Sequence, residues 1–136
     1  MASRDNYWDY WNLPEFKIED MLGKTFVSVT NDDGKRVIFT ADNGDKYVFC
    51  HIQDCCEGVE VKDIVGDLSD LTGSPLLEAE ENSNSGSTDW GSETWTFYKF
   101  GTIKGHVNIS WLGESNGYYS ESVDRLLVKE NSNENP

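Results

Sequence analysis

From Thr25 onward the chain alternates apolar and polar residues in short runs separated by turn sequences. Thr25–Asn31 is β-prone and ends at Asp32-Asp33-Gly34, and Arg36–Ala41 returns from that turn. Asp42-Asn43-Gly44-Asp45 turns the chain again into Lys46–Ile52. Asp-Gly and Asn-Gly supply the positive φ angles that tight hairpins need, so the pattern predicts an N-terminal β-meander. With period two, Val48, Cys50 and Ile52 share one face of the third strand, and Tyr47, Phe49 and His51 the other. Farther on, Glu93–Thr102 sets Trp95, Phe97 and Lys99 opposite Thr94, Thr96, Tyr98 and Phe100. His106–Leu112 puts Val107, Ile109 and Trp111 on one face, and Tyr118–Lys129 supplies the last of three C-terminal strands.

Between these blocks the signals are mixed. Pro14, Glu15 and Gly23 frame a short helix carrying Phe16, Ile18, Met21 and Leu22. Val59–Val65 reads as a strand or short helix, Asp67–Leu71 as a helical turn, and Leu76–Glu80 as a strand. Asn82–Gly91 (NSNSGSTDWG) reads as a loop by composition. The expectation is an α+β protein, mostly β: a single compact domain over 1–130 with an antiparallel sheet and one or two short helices. Residues 131–136 form a polar tail. Asn6–Trp11 (NYWDYW) adds an aromatic run that lids the core or faces a partner.

The chain has 136 residues with 25 acidic and 11 basic ones, for a net charge of −14. That field repels nucleic acid and anionic membranes and favours basic partners. No run of apolar residues is long enough for a membrane-spanning helix, and the N-terminus lacks the apolar region of a signal peptide. A cytoplasmic protein with reduced thiols is expected.

The stretch Cys50–Glu81 holds all three cysteines, His51 and the densest run of carboxylates. Cys50, His51, Asp54, Cys55, Cys56 and Glu57 include every ligand type zinc favours, but no CxxC pair or second cluster completes a cage. No metal and no cofactor is expected. Neighbouring Asp54 and Glu57 would disfavour a thiolate nucleophile. No GxSxG, HExxH, P-loop or GxGxxG motif is present, so a non-catalytic role is expected. A ligand pocket fits better. Two polar turns follow strands: His51, Asp54, Cys55, Cys56 and Glu57 in the first, and Asn116, Gly117, Tyr118, Tyr119 and Glu121 in the second. Their tyrosines can stack on a base, and Gly117 allows close backbone approach.

HIQDCCEGVEVKDIVGDLSDLTGSPLLEAEE, followed by WTFYKFGTIKG and WLGESNGYYSESV, resembles a family of small phage- and prophage-associated domains of unknown function. The likeness covers roughly residues 21–128. It implies a viral origin and a small soluble protein, without an activity, so the cytoplasm expected above is that of the host cell. By analogy of context, the leading expectation is a counter-defence protein that binds and sequesters a small nucleotide-like immune signal. The alternative is an acidic DNA mimic or protein-binding inhibitor of a basic host defence protein, with Asp63, Asp67 and Asp70 on its binding face. Homo-oligomerisation is left open. Direct nucleic-acid binding and membrane binding are not expected.

Overall fold

The computed structural model describes residues 13–53, 56–117 and 119–129. The aromatic run Asn6–Trp11, the tail, and the site residues Asp54, Cys55 and Tyr118 lie outside them.

The described residues form eight strands: β1 Phe26–Asp32, β2 Arg36–Ala41, β3 Lys46–Cys50, β4 Gly58–Val65, β5 Glu78–Thr88, β6 Gly91–Thr102, β7 Gly105–Ser115 and β8 Asp124–Val128. They build two four-stranded antiparallel sheets, β1-β2-β3-β8 and β4-β7-β6-β5. The expected meander is β1-β2-β3, and its first turn follows the expected chemistry. Asp33 and Gly34 both take positive φ, 56° and 77°, and the Lys35 N–H donates to the Asp32 carbonyl at 3.0 Å. The three C-terminal strands divide. β6 and β7 stay in the second sheet, while β8 crosses to pair with β3.

The sheets enclose one core of Phe26, Phe39, Tyr47, Phe49, Tyr98, Phe100 and Trp111 with smaller apolar residues. Rings meet across the sheets edge-on or tilted, with centroids 4.9 Å apart for Phe39–Phe100 and for Phe49–Tyr98. Such pairs add to the area term through ring quadrupoles. The alternation expected of β6 and β7 holds: Thr96, Tyr98, Phe100, Val107, Ile109 and Trp111 are buried. β3 is buried on both faces, because Val48 and Cys50 pack with Leu126 in a second, smaller cluster outside the first sheet.

Among the described residues, helix is confined to single 3-10 turns at Ile18–Met21 and Leu68–Leu71. The first occupies the place of the expected short helix. The second is capped by Asp67, whose carboxylate accepts the Ser69 N–H at 3.0 Å and hydroxyl at 2.8 Å. These bonds, the hydroxyl's first, hold the Asp67 carboxyl below its ordinary value.

Asn82–Gly91 is not a loop. Asn82–Thr88 continues β5 and pairs residue by residue with β6 down to Thr88↔Gly91. Its side chains are polar because it is an edge strand exposed to water, and the backbone ladder holds it extended where composition favours a turn.

Candidate functional site

Three connections are not hairpins, and two of them carry the residues singled out from sequence. Residues 51–57 run from β3 of the first sheet to β4 of the second, and residues 116–123 run back from β7 to β8. Both cross between sheets, and Gly58↔Glu114 pairing in β4–β7 brings their ends together.

His51 ties them. Its Nε2 lies 2.7 Å from Glu57 Oε2, and its Nδ1 lies 2.8 Å from the Ser122 carbonyl oxygen. A carbonyl only accepts, so Nδ1 carries a proton and donates it. The second proton lies between Nε2 and the Glu57 carboxyl, and the pair is neutral overall whichever atom holds it. That neutrality is what allows Glu57 to sit at 0% side-chain exposure beside a ring at 5%. The Ile52 N–H donates to Asp124 Oδ2 at 2.9 Å, and Gln53 Nε2 donates to the Glu57 carbonyl at 2.7 Å. Both imidazole nitrogens are therefore consumed in holding the crossings together, which makes His51 a positioning residue.

On one side of this lock is an open cleft of about 430 Å³ lined by Lys35, His51, Ile52, Gln53, Glu57, Gly58 and Val59. A second, of about 270 Å³, is lined by Cys56, Thr88, Trp90, Ser92, Glu114, Ser115, Asn116 and Tyr119. The two share no lining residue among those described, but Cys56 of the second is followed directly in the chain by Glu57 and Gly58 of the first. The structure thus places His51 and Glu57 at the first cleft, and Cys56, Asn116 and Tyr119 at the second. Gly117 turns the chain with φ +101°, and its N–H donates to Ser115 Oγ at 3.0 Å.

Glu121 does not reach open water. Thr94 Oγ1 donates to its Oε1 at 2.8 Å, and Ser115 Oγ to its Oε2 at 2.5 Å, with Ser92 Oγ donating to the same oxygen. Burial pushes this carboxyl up, but the hydroxyls of Ser115, Ser92 and Thr94 outweigh it and hold the group below the ordinary carboxylate value. Ser92, Thr94 and Ser115 carried no recognisable motif in the sequence; only their strand pairing collects them. Trp90, 84% exposed at the β5–β6 turn, was hidden in the segment read as a loop.

The cysteines divide in chemistry. Cys50 is a free, buried thiol, pushed up to about 12 by burial and by the Asp124 carboxylate, against a smaller opposite effect of Arg36. It is no nucleophile at neutral pH. Cys56 is disulfide-bonded, which corrects the expectation of reduced thiols throughout. Among the described residues no group of three or more His, Cys, Asp or Glu could hold a metal ion, and no helix is long and apolar enough to cross a membrane.

No curated protein and no solved structure matches the chain. A family does match, over residues 19–125, which takes in β1 to β7, the start of β8, both crossings and the lining of both clefts. The chain belongs to the family described as a domain of unknown function, DUF7448.

Proposed function

We propose that this protein is a non-catalytic capture domain whose two adjoining clefts bind a small, planar, nucleotide-like ligand. The observation that carries the reading is the meeting of the two inter-sheet crossings at the His51–Ser122 hydrogen bond, with one cleft beside the first crossing and a second lined by residues of both. Trp90 and Tyr119 offer ring faces for a base, and Lys35, ion-paired with Glu60 at 3.1 Å, is the cation at the first cleft that an anionic group would compete for. A non-catalytic role is in keeping with a His51 whose ring nitrogens are both occupied and a Cys50 thiol held protonated. In a phage genome such a domain would act in the host cytoplasm, sequestering a nucleotide-like immune signal. Titration calorimetry with a panel of mono-, di- and cyclic nucleotides tests it. Tyr119→Ala should weaken the best binder by about five- to 150-fold, the cost of losing roughly 1–3 kcal/mol of base stacking. A panel without any binder would sink the assignment.

A second reading is favoured by a different surface. The register places Trp95 and Phe97 on the outer face of the second sheet, stacked with centroids 6.0 Å apart and planes 4° from parallel. Phe97 is 38% exposed, and Glu80, Glu93 and Asp63 lie around the pair on neighbouring positions, against Lys99, while Glu60 beyond them is ion-paired with Lys35 and Lys62. An aromatic centre with an acidic rim suits a basic protein partner. Its test is whether Phe97→Ser abolishes counter-defence while leaving nucleotide affinity unchanged. Of the acidic set expected from sequence, Asp63 lies on this same face, opposite Ser110 in the row of Phe97, while Asp67 caps the second 3-10 turn.

A further inference from the structure

We infer that the second cleft is selective for a compact organic cation, a quaternary ammonium or guanidinium head group. The inference rests on reading the clefts as a binding site, but not on the ligand being a nucleotide.

The charges come first. Among the described residues, no lysine or arginine lines this cleft. The Glu114 carboxylate is exposed at its wall and makes no ion pair with a described residue. Beside it, two hydroxyls have already spent their protons. A serine carries one O–H, and those of Ser92 and Ser115 both go to Glu121 Oε2. Ser115 Oγ also approaches the Tyr119 carbonyl at 3.4 Å, but the 2.5 Å contact to an ionised acceptor takes the proton. What these serines can present to a ligand is lone pairs. Ser115 has already received one partner that way, the Gly117 N–H.

The walls come next. Trp90 and Tyr119 line the same cleft, and an aromatic face is electron-rich, attracting a cation within about 6 Å of the ring centre. Aromatic walls, an unpaired carboxylate and proton-depleted hydroxyls all favour positive charge and disfavour an anion. A nucleotide entering here would lead with the amino edge of its base, leaving phosphate to the Lys35 side. The same head group could belong to a free metabolite or to an arginine side chain of a basic protein.

The full chain is titrated calorimetrically at low salt with choline, with N-acetyl-arginine amide, and with 3,3-dimethylbutan-1-ol, the uncharged carbon isostere of choline. At least one cation should bind on the order of tenfold tighter than the isostere, and the better of the two names the source. Trp90→Ala and Glu114→Gln should each weaken it by about two- to thirty-fold. Both side chains are exposed, so folding, checked by circular dichroism, should survive. General attraction to a chain of charge −14 would persist in Trp90→Ala, and an unchanged affinity there overturns the inference. So does a cation that binds no better than the isostere. Nucleotide binding without cation binding would overturn this inference alone, and the converse would overturn only the nucleotide assignment.

Discussion

His51 and Glu57 form the costliest pair to disturb at the site. With Glu57 wholly enclosed, His51→Ala removes the imidazole that lies 2.7 Å from its carboxyl. Removing one member of a buried pair costs about 3–5 kcal/mol, so chemical denaturation should show a loss of that order. A loss under about 1 kcal/mol would mean that water reaches Glu57 freely. Cys50 offers a second residue-scale test. With its thiol pushed up to about 12, only about one in 10⁵ is ionised at pH 7. Iodoacetamide should leave Cys50 unmodified in the native protein and label it on unfolding, as judged by peptide mass spectrometry. Glu121 gives a pH signature. Its folded value is lowered, so its contribution is fully present above the unfolded value of about 4.3 and is lost as acid titrates the folded carboxylate below that. Glu121→Gln should cost about 1–3 kcal/mol at pH 7, and the gap to the parent should close as pH falls below the ordinary carboxylate range.

At the scale of elements, close approach fixes where the second crossing lies. A Cβ on Gly113 of β7 would collide with the Glu121 carbonyl and stand 2.8 Å from its Cβ. Gly113→Ala should therefore push the 116–123 segment off the sheet, costing about 1–3 kcal/mol and loosening the second cleft; unchanged melting would show that the segment yields. The meander was legible in sequence because Asp33-Gly34 and Asn43-Gly44 are local turn signals flanked by period-two runs. The faces of β6 and β7 were legible because each packs one side only on the core. Asn82–Thr88 was not, since an exposed edge strand has no apolar face to reveal its period and takes its conformation from β6. The clustering of His51 with Ser122, or of Ser92 and Thr94 on Glu121, joins residues 27 to 71 positions apart and has no local signature. The two crossings did stand out, because segments that leave one sheet for another carry turn-forming polar residues where strands carry alternation. The disulfide at Cys56 was missed because the cysteine count alone argued for thiols.

For the molecule as a whole, the net charge of −14 and the placement of the clefts pull in different directions. Long-range repulsion slows an anionic ligand and weakens with salt, while contacts inside a cleft are less screened. Nucleotide affinity should thus hold steady or rise between low and physiological ionic strength, whereas a basic protein docked on the Trp95–Phe97 face should weaken. The most direct measurement of the central claim is native mass spectrometry of the full chain purified from host cells, parent beside Tyr119→Ala. The account predicts a nucleotide-like small molecule bound stoichiometrically to the parent and largely absent from the variant. A parent that carries the same mass as its variant apart from the substitution, and takes up no member of the nucleotide panel when it is added, would contradict it.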